Sequence, residues 1–536
     1  MPDVRDGLRD GLRAALDGAG VVPAPTEIAI ERPRDRSHGE GSSNVALAAA
    51  KAARRPPREL AQQIVAHLSA APPPHVVAVE VAGPGFVNFR LAPSWLHEVL
   101  REVLDAGVDC YARSEAGAGR SASVEFVSAN PTGPLHAGHG RWAAYGDSLC
   151  RLLERCGYQV CREFYINDRG RQIDLFTASL EARSRGAEPA EDGYHGEYVA
   201  EWAAEMPGGA DARRWGLERA HRDQAGTLAA MNVAFDLYTS ESSLVARGAM
   251  DGILEDLRNR QMVYERDGAV WLRTGDLGDS ADRVLVKSDG EPTYFLPDIA
   301  YHHEKFSRGE MVMDILGADH HGYVPRMRAA LGALGHSGEA YEAVVGQNIT
   351  LRRGGAEVRL SKRAGDMVLV SDLLDEVGPD VTRLVYLLQS IDTTQTIDID
   401  VVSTQSAENP VYYVQYAHAR IHSLGRAAAA RGVQRAPLSD VDLSVLVHQQ
   451  ELDVLRALAS LPDTVLAAMR ARAPHQVTTW VRELAAAFHR FWHECPILRD
   501  DVDEDLRQAR LWLVEGTRTG LAVALDILGV SARERL

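Results

Sequence analysis

Two histidines, His136 and His139, stand three residues apart in "NPTGPLHAGHGR" (Asn130–Arg141). A β-rich run, "ASVEFVSAN", leads into them, and helix-forming residues follow from Arg141. A Pro/Gly turn between a strand and a helix gathers backbone N–H groups at the positive end of the helix dipole, which suits an anion. Side chains at i and i+3 share one helical face, so both imidazoles can reach one ligand. Gly138, lacking a side chain, lets a flat base or ribose approach the backbone. Such a set suits attack on an α-phosphate, where charge grows on the phosphorus centre and the departing pyrophosphate. Each preorganised donor is worth about 3 kcal/mol in comparable sites. The bland alternative is a pair of histidines that cap a helix.

A distant segment supplies the complementary charge. "RLSKRAGD" (Arg359–Asp366) is basic and ends in a glycine turn. Arg352, Arg353, Arg359, Lys362 and Arg363 put five cations in this region. A lysine there can clamp β- and γ-phosphates and neutralise the leaving pyrophosphate. Alone, the segment also reads as a solvated basic turn.

The rest of the chain must position these groups. Its 536 residues leave room for two to four domains. A hydrophobic fraction of 45% is that of a globular protein, and the net charge of −17 argues against broad nonspecific nucleic-acid binding. It leaves room for one basic groove. The five cysteines form no C-x-x-C pair, which disfavours a zinc knuckle and suggests buried reduced thiols. No signal core or long apolar run is present.

Leu8, Leu12 and Leu16 predict a helix over 3–17. "HVVAVEVAGPGFVNFRL" predicts a hairpin, closing a small α+β unit near Pro93, and "SWLHEVLREVLDAG" a linking helix. Strand 122–130, helix 141–156 and strand "YQVCREFYIND" predict the start of a parallel α/β fold. Residues 170–260 read as largely helical, "RVLVKSDGEPTYF" as a hairpin, and "MVMDILGADHH" as a buried strand ending in polar residues. From Asn409 onward the pattern is helical. Helical spacing groups Tyr413, Tyr416 and Arg420 on one face, with Tyr412 and Gln415 on another.

"HAGH" and "LSKR" resemble the HIGH and KMSKS signatures of class I aminoacyl-tRNA synthetases. "VEFVSANPTGPLHAGHGR", "FYINDRGRQI", "PTYFLPDIAYHHEKF", "GADHHGYVPRM" and "ENPVYYVQYAHARI" narrow the resemblance to the arginyl-tRNA synthetase family, from about residue 28 to the end. Ala137 and Leu360 depart mildly from the class signatures without removing a functional group.

The resemblance implies an α/β Rossmann-like catalytic domain over 94–408, with a helical insertion at about 170–285. It implies a small N-terminal α+β, tRNA-contacting domain over 1–93 and an all-α anticodon-binding bundle over 409–536. The implied reaction joins arginine to ATP as arginyl-adenylate and then to the 3′ end of arginine tRNA, with activation dependent on bound tRNA. The implied catalytic set is His136, His139 and Lys362. ATP would lie against these and Pro131, Gly133, Gly138, Ser361 and Arg363. The arginine pocket would use Glu125, Asn130, Tyr294, Asp298 and His320. Asp298 would pair the guanidinium, with Tyr294 beside it on one helical face, and Glu125 and Asn130 would hold the α-amino end. Phe86 and Asn88 would meet tRNA. Mg²⁺ would arrive with ATP, and no zinc or other protein-bound metal is implied. Adjacent histidines on a strand point to opposite faces, which disfavours His320–His321 and His302–His303 as metal pairs. The expected state is a cytoplasmic monomer without membrane contact. The alternative reading is a specialised paralogue serving a tRNA-dependent pathway.

Overall fold

The computed structural model describes residues 4–33, 35–320, 322–358, 368–404, 406 and 409–535. The chain divides into two compact units. The first holds residues 1–111, 425–459 and 486–519. It opens with α1 (Val4–Gly18), β1 (Gly41–Ser43), α2 (Val45–Ala53), α3 (Pro57–Ala70), β2 (Val76–Ala82), β3 (Phe86–Leu91) and α4 (Ser94–Cys110). The three strands form an antiparallel sheet in the order β1-β3-β2. Leu8, Leu12 and Leu16 pack with Ile64, Leu68 and Phe89 in one core, so the four-residue leucine spacing is the buried stripe of α1. α3 starts with Pro57 in its first turn, where a missing N–H costs nothing. Gly83 and Gly85, both at positive φ, turn β2 into β3. α4 is the expected linking helix. Its Arg101 guanidinium donates to the Leu438 and Val441 carbonyls at 3.1 and 3.0 Å.

The second unit holds residues 112–424, 460–485 and 520–536. It begins with β4 (Ser121–Glu125), α5 (Ala137–Arg155), β5 (Gln159–Ile166), α6 (Arg171–Ser184), α7 (Glu197–Glu205), α8 (Ala212–Ala230), β6 (Leu237–Ser240), α9 (Glu241–Ala246) and α10 (Ala249–Asn259). Next come β7 (Val263–Arg266), β8 (Ala269–Leu272), β9 (Arg283–Val286), α11 (Phe295–Lys305), β10 (Met311–Gly317), α12 (Tyr323–Ala333) and β11 (Tyr341–Gly346). After them lie β12 (Ile349–Arg353), β13 (Ala356–Val358), α13 (Val370–Val377), α14 (Pro379–Tyr386), β14 (Gln395–Asp398) and α15 (Ile399–Val402). The helices α16 (Pro410–Ala430), α17 (Gln449–Arg470), α18 (His475–Glu494) and α19 (Glu504–Leu528) complete the chain. No strand follows Asp398 among the described residues.

The second unit is built on a five-stranded sheet in the order β11-β10-β4-β5-β6, every pair parallel. β4, α5 and β5 form the expected strand–helix–strand crossover. The chain reaches β5 on one side of β4 and β10 on the other, so β4 lies at the point where strand order reverses. Ligands of such sheets bind beyond the carboxyl ends of the strands at this point. The stretch expected as a helical insertion is more mixed. It supplies edge strand β6 and, from β7, β8 and β9, a separate antiparallel sheet. The hairpin expected around Asp289 is a short turn, paired through Val286 and Pro292.

All five thiols are free. Cys150, Cys156 and Cys495 are buried, but Cys161 is half-buried and Cys110, at the end of α4, is exposed. No described helix is long and apolar enough to cross a membrane.

Candidate active site

The loop from β4 to α5 leaves the carboxyl edge of the sheet. Val127 and Ser128 take left-handed backbone angles, φ 69° and 39°. Ser128 supports that turn, its Oγ donating to Glu125 Oε1 at 2.7 Å and accepting from Tyr165 N at 3.1 Å. Pro131 is buried, and Gly133 lies so close to the Tyr198 ring that a Cβ would meet it at 2.8 Å. His136 occupies the N-cap of α5 with extended backbone, yet its side chain makes no capping bond. Instead its ring stacks on His139, with centroids 3.7 Å apart. A Cβ at Gly138 would fall 2.9 Å from the His136 ring, so that ring fills the space the glycine leaves.

A second element closes on this helix mouth. Ala137 N donates to the Val368 carbonyl at 3.0 Å, and Val370 N donates to Leu135 O at 2.9 Å. Tyr386 at the end of α14 donates its hydroxyl to Ala137 O at 2.7 Å. Arg141 is buried and donates to the carbonyls of Gln347, Ser390 and Thr393 at 2.6, 2.7 and 2.9 Å. The chain that leaves β13 at Val358 thus re-enters, at Val368, against "HAGH". Ser361, Lys362 and Arg363 lie outside the described residues, as does Arg359.

The remaining candidates follow the same sheet edge. Asn130 and Tyr294 line one cavity of about 200 Å³ with Asn167, Arg169, Gly170, Arg171 and Gln172. Asn130 donates to Gln172 Oε1 at 2.7 Å, and this pair also walls a second cavity of about 220 Å³. Tyr294 is the N-cap of α11 and is 77% exposed. Asp298, one turn on, accepts from the Tyr323 hydroxyl at 3.0 Å. The Tyr323 ring also faces His320, which is exposed in the turn after β10. Burial pushes the Asp298 carboxyl up to about 6, against the pull of His302 and the Tyr323 hydroxyl, and Glu125 and Glu241 add to the rise. Glu125 ends β4. Asn130 and Tyr294 therefore meet in one cavity, Asp298 and His320 meet at Tyr323, and Glu125 acts on Asp298 through charge.

Three family profiles match the chain. "Arginyl tRNA synthetase N terminal domain" covers residues 6–91, and "tRNA synthetases class I (R), catalytic domain" covers 103–192 and 212–423. "DALR anticodon binding domain" covers 414–536. The chain is 44% identical to an arginine–tRNA ligase of Frankia alni, over 98% of this chain and 97% of that protein. It is 43% identical to an arginine–tRNA ligase of Desulforudis audaxviator, over 99% of each. The chain belongs to the arginyl-tRNA synthetase family. The solved arginyl-tRNA synthetase of Thermus thermophilus, 23% identical, shares the fold with a TM-score of 0.76 over 99% of this chain and all of that one. The family architecture is the one described: a Rossmann-like parallel-sheet core, an N-terminal α+β domain and a helical C-terminal domain. Nothing in these comparisons favours the specialised paralogue.

Against that family background, the expected tRNA contacts divide. Phe86 is exposed at the start of β3, while Asn88 is buried and accepts from Ser42 Oγ at 2.7 Å. The strand β1 explains the difference, because it pairs with Val87, Asn88 and Phe89 and ends before Phe86. In α16, Tyr412 stacks on Tyr416 at 5.7 Å, and the Arg420 guanidinium lies over Tyr416 at 4.4 Å. Tyr416 and Arg420 share a face as their spacing predicts, but Tyr412 joins them rather than lying on another face, since residues four apart are neighbours. Gln415 turns inward to Asp380 at 2.9 Å.

One group of side chains was given no role as a set by the sequence. Lys305, fully buried in α11, donates to Glu125 and, at 2.6 Å, to Asp314 Oδ1. His302 donates to Asp314 Oδ2 at 2.6 Å from Nε2 and to Asp298 O at 2.7 Å from Nδ1. Both ring nitrogens face acceptors, so the ring is an imidazolium. Burial pulls the His302 and Lys305 cations down, but Asp314 and Glu125 together reverse it and hold both above their ordinary values. Burial pushes Asp314 up, and Lys305 and His302 more than reverse it. Glu125, His302 and Asp314 group as metal ligands do. The Lys305 ammonium already neutralises them, which disfavours a cation there. His303 turns instead to His336, at 2.9 Å. The one sequence signal for this network is Asp314 itself, a charge inside the apolar run Met311–Leu316.

Proposed function

We propose that one ATP lies across the mouth of α5, between the stacked histidines and the loop anchored at Val368, with arginine beside it at the carboxyl edge of the sheet. The chain is an arginine–tRNA ligase of class I. In the first step the arginine carboxylate attacks the α-phosphate and pyrophosphate leaves. In the second a ribose hydroxyl at the tRNA 3′ end attacks the activated carbonyl and AMP leaves.

His136 and His139 donate to phosphate oxygens as charge develops, and Pro131, Gly133 and Gly138 shape the turn that holds them. Ser361, Lys362 and Arg363 cover the β- and γ-phosphates and neutralise the departing pyrophosphate. Lys362 is six residues from Val368, and six residues of chain reach at most about 20 Å. Mg²⁺ comes with ATP, held mostly by its phosphates. Asp298 takes the guanidinium with Tyr294 and His320 nearby, and Glu125 and Asn130 take the α-amino end. Phe86 stacks on a tRNA base beside Asn88. Residues 1–93, 94–408 and 409–536 act as tRNA-contacting, catalytic and anticodon-binding domains of a cytoplasmic monomer.

The observation that carries this reading is the pair of backbone bonds from Ala137 and Val370, which join the end of the lysine loop to "HAGH". The test is arginine-dependent exchange of pyrophosphate into ATP, with and without arginine tRNA, followed by charging. Exchange that needs the tRNA, then charging, is expected. No exchange under either condition would overturn the reading.

A further inference from the structure

We propose that Lys305 is a positioning residue that sets the charge of the arginine pocket: it neutralises and aims Glu125, leaving Asp298 as a carboxylate without an ion pair for an incoming guanidinium. This rests on the reading of Glu125 and Asp298 as substrate contacts. Lys305 is fully buried, and its ammonium reaches Glu125 at the end of β4 and Asp314 in the middle of β10. It also lies 4.4 Å from the Tyr301 ring centre. A lysine pays heavily for such burial unless it is fully paired. Here it is paired, and one of its two anions, Glu125, is only partly buried at the end of β4.

The charges balance in a definite way. Lys305 and His302 are two cations facing two anions, Glu125 and Asp314. Tyr341 adds a neutral donor to Asp314 at 2.8 Å. A further carboxylate of the region, Glu163, is matched separately by both arms of Arg308 at 2.7 and 2.8 Å. Asp298 differs. Among the described residues its carboxylate accepts from the neutral Tyr323 hydroxyl and forms no ion pair, the His302 imidazolium acting on it through charge alone. A substrate with one cationic fork restores neutrality at Asp298, while Glu125, held from behind by Lys305 and from the side by Ser128, keeps a fixed orientation. With Lys305 made neutral, Glu125 and Asp314 repel, one takes up a proton, and Glu125 loses its aim.

The test measures KM for arginine and for ATP in charging of arginine tRNA, for Lys305→Met, Lys305→Arg and Glu125→Gln. Lys305→Met should raise KM for arginine at least about tenfold and leave KM for ATP within about twofold, with Lys305→Arg recovering most of the loss. A purely structural lysine would move both KM values together, and that result would overturn the proposal. If Lys305→Met does not fold, the pair Glu125→Gln/Lys305→Met, which removes an anion with the cation, takes its place. Because Lys305 acts through the Glu125 carboxylate, the pair should then match Glu125→Gln alone in KM for arginine, and a further rise of about tenfold would overturn the proposal. Glu125→Gln with an unchanged KM for arginine would remove Glu125 from the pocket, and the proposal with it. A changed Glu125→Gln beside an unchanged Lys305→Met would overturn the role of Lys305 alone.

Discussion

At the scale of single residues, Asp298 concentrates the electrostatics of substrate choice. Its carboxyl, raised by burial to about 6, must be ionised to pair a guanidinium. KM for arginine should therefore climb as pH falls through about 6, approaching tenfold per unit below it, while KM for ATP stays flat. Asp298→Asn should abolish that bend and raise KM for arginine by about 10- to 100-fold at neutral pH. A pH series of arginine KM for both proteins checks this. Stability runs the opposite way. The folded carboxyl holds a proton that the unfolded chain has already released between about pH 4 and 6. Its contribution is therefore full at low pH and is lost as pH rises through 6, and bound arginine offsets that loss.

At the scale of elements, the site depends on how α5 is seated. Its first turn is held by Val368 from one side and by the Tyr386 hydroxyl from another. Tyr386→Phe should cost about 1 kcal/mol in thermal unfolding and slow pyrophosphate exchange several-fold. Gly138→Ala would place a methyl 2.9 Å from the His136 ring and unstack it from His139. Exchange should fall by about tenfold or more with the melting temperature little changed. The mouth of this helix was legible in the sequence, because a strand, a Pro/Gly turn and two histidines at i and i+3 point to one anion site. The sheet around it was legible from strand–helix–strand alternation, although edge strand β6 was hidden in a segment dominated by helices. Lys305 was not legible. A lysine two residues after a pair of histidines, near the end of an amphipathic helix, reads as a solvated cation, and only the close approach of β4 and β10 makes it a buried one.

At the scale of the whole molecule, α14 joins the mouth of α5 to the end of the chain. Asp380 accepts from Ser531 N, Gln415 and Arg533 at 2.8, 2.9 and 2.9 Å, and Arg383 donates to Leu528 O at 3.0 Å. Tyr386, at the far end of the same helix, holds Ala137. Removing Ser531–Leu536 should strip two donors from a buried carboxylate, at about 1–3 kcal/mol, and lower the melting temperature by a few degrees. Exchange activity of the shortened chain should fall with it if α14 transmits the loosening, and a melting curve beside an exchange assay reads both.

The measurement that bears most directly on the account is arginine-dependent pyrophosphate exchange, with arginine tRNA present, for the wild-type chain, His139→Ala and Lys362→Ala. Each substitution should slow exchange by about 10²-fold or more, because both groups serve the same triphosphate from opposite ends of the sequence. A Lys362→Ala chain that exchanges at the wild-type rate would contradict it.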